Sequence, residues 1–307
     1  MDVSFAALRS CNLCPRNCNA NRFSAQEGYC QTDHQYNISS VVVHRGEEPA
    51  VSGKHGICNI FFDHCNLQCV YCQNHQISNN HHQTTAWSIE KLLQAILKNI
   101  DLGCKTVGFV SPSHQIPQML SIIKALQHIK PKPVFVYNSN GYDKVEVLRQ
   151  LEGLIDVYLP DLKYASNATS ALYSDAKNYV EVSQKALREM FRQKGAALHL
   201  AYDDAHAESA LIVRHLVLPG HITESLHILR FIAEELSPRV HVSLMAQYFP
   251  TANSSLYPNL NRVLTKQEYK TVVGEMERLE LTNGWLQDLE SNQTYRPDFG
   301  KEEPFGG

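Results

Sequence analysis

The sequence lacks long apolar runs and an excess of charge of one sign. None of its 307 residues falls in an apolar run of the ~18 residues that a membrane-spanning helix needs. Its 28 lysines and arginines nearly balance 31 aspartates and glutamates, so the charge indicates neither a nucleic-acid backbone nor an anionic membrane as partner. Residues Met1–Ser10 also lack the basic segment and apolar stretch of a secretory signal. We therefore expect a cytoplasmic protein that does not enter a membrane, and the charge gives no support to a nucleic-acid partner.

Cysteine is scarce over most of the chain and concentrated near its start. Only Cys104 lies beyond residue 72, whereas the other eight of the nine cysteines occupy positions 11, 14, 18, 30, 58, 65, 69 and 72. In a reducing cytosol, clustered cysteines are more often metal ligands than disulfide partners. The distribution therefore predicts metal binding in the N-terminal part of the chain.

The strongest motif is C-x3-C-x2-C at Cys65, Cys69 and Cys72, with Tyr71 directly before the last cysteine. Three thiolates so close together can bind three irons of a cubane iron–sulfur cluster, whose ligands are cysteine sulfurs. The fourth iron then has no protein ligand, as it must if the cluster is to bind a substrate. The motif predicts a [4Fe-4S] cluster with one open iron.

A structural zinc site is the alternative for these cysteines. Zinc in such sites takes four ligands in a closed tetrahedron, often from paired C-x2-C knuckles. Here three cysteines share one loop, and the nearest candidates for a fourth ligand are His64, His75 and Cys58. The apolar segment that leads into the loop, together with Tyr71, favours the cluster.

A second group of cysteines has the spacing C-x2-C-x3-C-x11-C, at Cys11, Cys14, Cys18 and Cys30. Four such thiols could close an all-cysteine zinc site or hold a second, fully ligated iron–sulfur cluster. Unligated, reduced thiols are a third alternative, and spacing alone does not choose between zinc and iron. A second cluster would indicate electron delivery or substrate ligation, whereas zinc would indicate only a role in folding.

From about Cys58 the sequence alternates between short apolar segments and amphipathic ones. The predicted strands are Ile57–Phe62, Thr106–Val110, Pro133–Tyr137, Ile155–Leu159, Leu211–Leu218 and Val240–Ala246. The predicted helices are Ser88–Asn99, Pro117–Ile129, Lys144–Leu151, Tyr179–Arg192, Thr223–Glu235 and Lys266–Leu279. The polar stretch His199–Ser209 is predicted to be a flexible loop.

This alternation predicts an α/β fold, a parallel sheet with right-handed crossovers curved into a partial (β/α)6 TIM-like barrel. Active-site residues in barrels gather at the carboxyl ends of the strands, and the Cys65–Cys72 loop follows the first predicted strand. We expect three parts: a Cys-rich metal-binding segment at 1–45, the barrel at 46–250, and a C-terminal helical extension at 251–307.

Together these motifs resemble the radical S-adenosylmethionine (SAM) superfamily, and within it the pyruvate formate-lyase activating-enzyme-like branch with an N-terminal C-x2-C-P-R-x-C segment. The resemblance covers Glu47–Pro49, Ser52–Gly53, Cys65–Asn74, Asn138–Tyr142, Tyr158–Tyr164, Val213–His221 and Ser243–Tyr248. It implies that SAM chelates the open iron and that one electron cleaves SAM to methionine and a 5′-deoxyadenosyl radical. It also implies an electron donor such as flavodoxin or ferredoxin.

The resemblance implies roles for three charged residues. Asp161 and Lys163 match an Asp-x-Lys pair near SAM and the substrate, and residues two apart in an extended segment share one face. The carboxylate can accept from ribose hydroxyls or offset the sulfonium charge, and the ammonium can pair with a carboxylate of SAM or substrate. A surface ion pair is the alternative. Arg214 interrupts an apolar strand, so its charge needs a partner, either the SAM carboxylate or solvent.

Other matches lie in turns and in the cysteine loop. Asn138, Ser139 and Asn140 match a turn that can present hydrogen bonds to SAM, with a merely structural turn as the alternative. Tyr71 lies where the family packs an aromatic ring against adenine, unless it only fills core.

Two departures from the family pattern weaken part of this inference. Activating enzymes carry a Gly-Gly-Glu motif that holds the SAM amino group, where this chain has Ser111-Pro112-Ser113-His114. Ser111 or His114 could accept the same hydrogen bonds, and His114 could instead be a proton donor or an ordinary buried histidine. The family's Asp is also replaced by Asn138. Both changes count against glycyl-radical formation but not against SAM cleavage.

We therefore expect an enzyme that makes the 5′-deoxyadenosyl radical and abstracts hydrogen from a substrate. One version activates a glycyl-radical enzyme as its partner, as Asp161 and Lys163 indicate. Another modifies a small molecule, peptide or nucleic acid, which the missing Gly-Gly-Glu motif favours. A function of another class, a non-enzymatic zinc-binding interaction module, would explain the cysteines but not the barrel pattern.

Overall fold

The structure is a computed structural model that describes residues 1–24, 28–202, 206–294, 296–301 and 303–305. The strands of this described part are β1 Ile38–His44, β2 Ile57–Phe62, β3 Thr106–Val110, β4 Val134–Ser139, β5 Val157–Pro160, β6 His199–Leu200, β7 Ala207–Leu216, β8 His241–Met245 and β9 Gly284–Leu286.

Its α-helices alternate with these strands through most of the chain. They are α1 Pro49–Ser52, α2 His75–Ser78, α3 Ile89–Asp101, α4 Ile116–Leu126, α5 Val145–Gln150, α6 Asn167–Ser174, α7 Tyr179–Lys194, α8 Ile222–Phe231, α9 Lys266–Arg278 and α10 Ser291–Thr294. No helix in the described ranges is both long and apolar enough to cross a membrane.

The strands form one sheet in the order β1-β2-β3-β4-β5-β7-β8-β9, and β6 pairs only with β7. The six strands β2, β3, β4, β5, β7 and β8 run parallel, as does β9 beside β8, whereas β1 is antiparallel to β2. In the described residues the sheet ends at β1 and β9 and does not close. The predicted α/β fold with a mainly parallel sheet is confirmed.

Burial explains why the parallel strands could be recognised from composition. Every residue of β2 and β3 is buried, because helices cover one face of the sheet and a packed core fills the other. Strands buried on both faces appear in the sequence as continuous apolar runs. Asn59 is the polar exception in β2, and it is completely buried.

Several elements differ from their predicted bounds. β7 begins at Ala207 rather than Leu211, and β6 pairs with it in antiparallel fashion, so the predicted loop at His199–Ser209 is partly strand. Residues 203–205 of that stretch lie outside the described residues. β1 belongs to the predicted Cys-rich segment and β9 to the predicted C-terminal extension, yet both extend the central sheet.

The parallel strands place their carboxyl ends at one edge of the sheet. Loops that follow β2, β3, β4, β5, β7 and β8 therefore meet there. This edge carries the loop with Cys65, Cys69 and Cys72, directly after β2.

Candidate active site

A cavity of about 210 Å3 opens at this edge, and the end of each of the six parallel strands contributes to it. Its lining includes Cys65, Cys69, Tyr71, Cys72, Ser111, Asn138, Asn140, Asp161, Lys163 and Arg214. These side chains are distant in sequence, and the barrel topology brings them together. Glu47 and Glu48, which precede β2, also line the cavity.

Each of the three cysteine sulfurs has a hydrogen-bond donor behind it. Asn140 Nδ2 lies 3.3 Å from Cys65 Sγ, Ser174 Oγ lies 2.9 Å from Cys69 Sγ, and Ser78 Oγ lies 3.1 Å from Cys72 Sγ. Burial, and then the neighbouring Cys69, raises the pKa of Cys65 to about 12. A cation in the cavity would reverse this, because metal-bound thiols are deprotonated.

This donor set fits three corners of a [4Fe-4S] cluster. Nowhere in the described ranges do three or more His, Cys, Asp or Glu side chains meet so that they could hold a metal ion. Sulfurs that surround a cavity without converging suit a cluster, which holds its thiolates further apart than one zinc does. His64, a predicted fourth zinc ligand, has both ring nitrogens at carbonyl oxygens, 2.7 Å from Cys30 and 2.8 Å from His82.

Asp161 lies between two cations on the floor of the cavity. Its Oδ2 is 2.6 Å from Lys163 Nζ, and its Oδ1 is 3.0 Å from Arg214 Nε. Burial alone would raise the pKa of Asp161, but Lys163 and Arg214 outweigh burial and lower it. Asp161 is therefore ionised in the folded protein.

Arg214 has its partners within the protein. Besides Asp161, its Nη1 lies 3.0 Å from Glu47 Oε2 and its Nη2 lies 2.5 Å from Asn138 Oδ1. Asn59 Nδ2 donates to the other Glu47 oxygen at 2.9 Å. All three guanidinium nitrogens of Arg214 are thus engaged, so neither the SAM carboxylate nor solvent is needed to satisfy its charge. Arg214 instead holds two carboxylates in place.

Glu48 lines the cavity, although the sequence analysis gave it no role. It is 8% exposed, and its Oε2 is buried with no hydrogen-bond partner among the described residues. Burial raises the pKa of Glu48, and the nearby Arg214 opposes that rise. A buried carboxylate oxygen without a donor is costly, and a cationic ligand would satisfy it. The Glu47-Glu48 pair directly before Pro49 was the available sequence signal.

Tyr71 belongs to a hydrogen-bonded chain that reaches the cysteines. Its hydroxyl donates to Tyr164 Oη at 2.6 Å, and Tyr164 Oη lies 2.5 Å from Ser174 Oγ. Ser174 in turn donates to Cys69 Sγ. Tyr164 and Ser174, which the sequence analysis did not single out, thus fix both the aromatic wall of the cavity and one cysteine.

Two of the predicted SAM contacts, Ser139 and His114, are not among the described residues that line the cavity. Ser139 turns away, since its Oγ donates to Asp143 and accepts from Gly141 N. His114 is buried elsewhere, with Nε2 2.9 Å from the Asp63 carbonyl oxygen. Burial lowers the pKa of His114 to about 3, so the imidazole is neutral. The structure places His114 with the buried histidines and not at the predicted SAM site.

The backbone before His114 explains this placement. Ser111 has a φ of 51°, in the left-handed region, and a turn of 3-10 helix over Pro112–His114 follows. This turn directs His114 toward the second cysteine group. Cys11, Cys14, Cys18 and Cys30 line one smaller cavity there, together with Arg16, Arg22, Tyr29 and His114.

Comparison with known proteins identifies the family. The family model described as the Radical SAM superfamily matches residues 59–199. The chain is also 32% identical over 289 residues to the uncharacterized protein MJ0674 of Methanocaldococcus jannaschii, which covers 92% of this chain and 78% of that protein.

Comparison with solved structures gives two further matches at low sequence identity. SuiB of Streptococcus suis bound to S-adenosylmethionine has a TM-score of 0.50 at 10% identity, over 76% of this chain and 50% of SuiB. The chain therefore spans about half the length of SuiB. A domain of pyruvate-formate lyase-activating enzyme from Bacteroides vulgatus has a TM-score of 0.40 at 11% identity, over 56% of this chain and 92% of that domain.

Proposed function

The chain belongs to the radical SAM superfamily, and we propose that it binds SAM in the cavity at the strand ends and abstracts hydrogen from a substrate there. Cys65, Cys69 and Cys72 would hold the [4Fe-4S] cluster. When bound, that cluster supplies the electron that cleaves SAM to methionine and a 5′-deoxyadenosyl radical. The observation that carries the proposal is the convergence of the three cysteines and five charged side chains on one cavity.

The charges of the cavity match the charges of SAM. SAM carries an ammonium, a carboxylate and a sulfonium, and the cavity offers Glu47, Glu48 and Asp161 against Lys163 and Arg214. Because Arg214 already engages Glu47 and Asp161, Glu48 is the carboxylate left to accept from the ammonium. Glu48 would thus do what the Gly-Gly-Glu motif does in activating enzymes.

Lys163 and Tyr71 complete the surroundings of the ligand. Lys163 is held by Asp161 and faces the cysteines, so its ammonium can meet a carboxylate of SAM or of the substrate. Tyr71 is 5% exposed and immobilised by its bond to Tyr164, which supports a role as a rigid wall against adenine. Both residues would orient ligands and exclude water from the radical.

For the substrate we propose a glycyl-radical enzyme, and for the reductant a low-potential protein such as flavodoxin or ferredoxin. The Asp161-x-Lys163 pair, both members of which line the cavity, supports the first proposal. Modification of a small molecule, peptide or nucleic acid is the alternative, favoured by the absence of Gly-Gly-Glu at Ser111. A glycyl-radical EPR signal in a co-purifying partner would support activation, and a modified small product would support the alternative.

The test of SAM cleavage is anaerobic reconstitution with iron and sulfide, followed by EPR of the reduced protein with and without SAM. We expect a cubane signal that shifts on adding SAM, together with released 5′-deoxyadenosine. Cys69→Ala should abolish the product, whereas Cys104→Ala, a buried cysteine outside the cavity, should retain it. Wild-type product formation in Cys69→Ala would contradict the proposal. A colourless protein with stoichiometric zinc would favour the zinc-module alternative.

The second cysteine group is part of the proposal as a metal centre. Its four sulfurs line one cavity, which supports joint ligation over four independent thiols.

A further inference from the structure

The four N-terminal cysteines lie in a site built around sulfur. Tyr29 N donates to Cys18 Sγ at 3.2 Å, and Thr32 Oγ1 lies 3.2 Å from Cys30 Sγ. A Cβ at Gly28 would lie 3.2 Å from Cys18 Cβ and 3.3 Å from its Sγ, so glycine leaves the sulfur its room. Hydrogen bonds to ligating sulfurs are typical of metal–thiolate centres.

Two arginines supply positive charge at the same place. Arg16 and Arg22 both line the cavity. Arg16 Nη2 is buried and has no hydrogen-bond partner in the part of the chain that the structure describes. Four thiolates exceed the charge of either a zinc ion or a cubane core, so a bound centre would be anionic. The arginines would offset that charge, and Arg16 Nη2 would donate to a sulfur of the bound centre.

Side-chain hydrogen bonds connect the segments that carry the two cysteine groups. His64, next to Cys65, has Nδ1 2.7 Å from the Cys30 carbonyl oxygen. Asn80 bridges the same segments, since its Oδ1 accepts from Cys65 N at 3.0 Å and its Nδ2 donates to Tyr29 O at 2.8 Å.

The Arg16 side chain makes a third connection between the two segments. Its Nε donates to Asn66 O at 2.8 Å, and its guanidinium lies 3.6 Å from the centroid of the Tyr29 ring. The Cys30 segment is therefore packed on the Cys65 loop by three separate side chains. This packing keeps the two cysteine groups close together, as electron transfer between their centres would need.

The positions of the cysteines bear on which metal centre the second group would hold. In both groups the cysteines surround a cavity, and neither group, within the described residues, meets at a point that would hold a single metal ion. The family of this chain implies a [4Fe-4S] cluster at the first group. Four cysteines that line a cavity without meeting at one point favour an iron–sulfur cluster over a single zinc ion.

We propose that Cys11, Cys14, Cys18 and Cys30 hold a second, fully ligated [4Fe-4S] cluster that passes electrons to the cluster of Cys65, Cys69 and Cys72. The electron-transfer step rests on the proposed function. One electron leaves the reduced N-terminal cluster and reduces the first cluster, and no proton or ligand is exchanged. A low-potential flavin or iron–sulfur protein then reduces the N-terminal cluster again. The hydrogen bond between His64 and the Cys30 carbonyl oxygen joins the two groups directly.

The first experiment counts metals after anaerobic reconstitution with iron and sulfide. The proposal predicts about eight irons and no stoichiometric zinc per wild-type chain. The triple variant Cys65→Ala/Cys69→Ala/Cys72→Ala should keep about four irons and a cubane EPR signal that SAM does not shift. Cys104→Ala should match the wild type. About four irons and one zinc per wild-type chain would overturn the proposal even if the triple variant fails to fold.

The second experiment counts electrons. Reduced wild-type protein is freed of excess reductant and mixed with SAM without substrate. Each cleavage consumes one electron, so we expect about two equivalents of 5′-deoxyadenosine per chain if the second cluster supplies the first. About one equivalent from a protein with eight irons would overturn the electron-transfer role. If the protein with eight irons forms no product, the proposed function is wrong, whereas the assignment of the second cluster is unaffected.

Discussion

Arg214 Nε lies 3.0 Å from Asp161 Oδ1. The backbones of the same two residues form a parallel β-bridge, which joins the segment after β5 to β7. Leu162 N donates to Arg214 O at 2.8 Å. Side chain and backbone thus join two strand ends under the cavity. Because Arg214 also engages Glu47, the pair aligns the segment before β2 with the segment after β5.

Arg214→Lys should destabilise the protein, because a lysine cannot reach three acceptors in the geometry of a guanidinium. Glu47 and Asn138 would lose a donor in a buried place, and a lost bond to a charged group costs about 1.5–3 kcal/mol. Urea unfolding at pH 7 measures the change. Arg230→Lys is the control, since Arg230 is 41% exposed and a lysine ammonium can keep its ion pair with Glu275. Equal losses of unfolding free energy in the two variants would show that the buried Arg214 network stabilises the protein no more than an exposed ion pair does.

Glu48→Gln should weaken SAM binding without lowering the stability of the protein. The amide keeps the shape but loses a charge-assisted hydrogen bond to the ammonium, worth about 1.5–3 kcal/mol, or roughly tenfold or more in Kd. Glu48 is buried and burial raises its pKa, so a neutral amide in its place should leave the free energy of unfolding unchanged or higher. Calorimetric titration with SAM and urea unfolding measure the two quantities.

Glu275→Gln provides the opposite result as a control. Glu275 is also 8% exposed, but it pairs with Arg230 and Arg278 far from the cavity, in α9. This variant should lose stability and keep its affinity for SAM. If Glu48→Gln binds SAM as tightly as the wild type, the ammonium has another partner.

Gly141→Ala should disturb the cavity floor much more than the same change at Gly153. Both glycines have a positive φ, +80° and +78°, so the backbone strain is the same. A Cβ at Gly141 would lie 2.2 Å from the Asp161 carbonyl oxygen, whereas a Cβ at Gly153 meets nothing within 4 Å. The clash should add about 1–3 kcal/mol of destabilisation. Thermal or urea unfolding of the two variants tests this, and equal losses would mean that the Asp161 segment can move away.

The sequence was sufficient to predict strands that are buried on both faces. Ile57–Phe62 and Thr106–Val110 have the predicted bounds, because continuous apolar runs of this length are typical of central parallel strands. β1 was missed because its interior residues are only partly buried, in an edge position where a serine pair is tolerated. β9 has three residues, too few to show any periodicity.

The site was harder to predict because its residues depend on their partners. A lone arginine in a strand indicates that a partner exists, but not that Glu47 and Asn138 are the partners. The left-handed φ of Ser111 turns His114 away from the cavity, and a serine before a proline gives no warning of that conformation. Glu48 became a candidate only when the structure showed a buried oxygen without a donor.

Ser174→Ala should lower the reduction potential of the first cluster. Ser174 Oγ donates to Cys69 Sγ at 2.9 Å, and hydrogen bonds to cluster sulfurs help to set the potential because they stabilise the more negative, reduced state. Potentiometric titration followed by EPR measures the shift. Ser170→Ala is a matched control, since Ser170 lies in the same helix, is equally buried and donates to Ala176 O at 2.6 Å. A potential equal to that of the control would show that the contact has no electronic effect.

Acidification should destabilise the protein through His215, and His215→Asn should remove that part of the dependence. His215 Nδ1 donates to Leu162 O at 2.7 Å, and its Nε2 accepts from Ser225 at 2.8 Å, so the buried ring is neutral. Burial lowers the pKa of His215 to about 4, against about 6.5 in the unfolded chain. Between these values only the unfolded chain binds the proton, so stability falls as the pH drops from about 6.5 to about 4, by roughly 3 kcal/mol in total.

Asn keeps a donor for Leu162 but does not titrate. Urea unfolding at pH 7 and pH 5 should therefore give a smaller difference for His215→Asn than for the wild type, while exposed His128→Asn should leave the difference unchanged. The same difference in His215→Asn and wild type would assign the acid sensitivity to other groups.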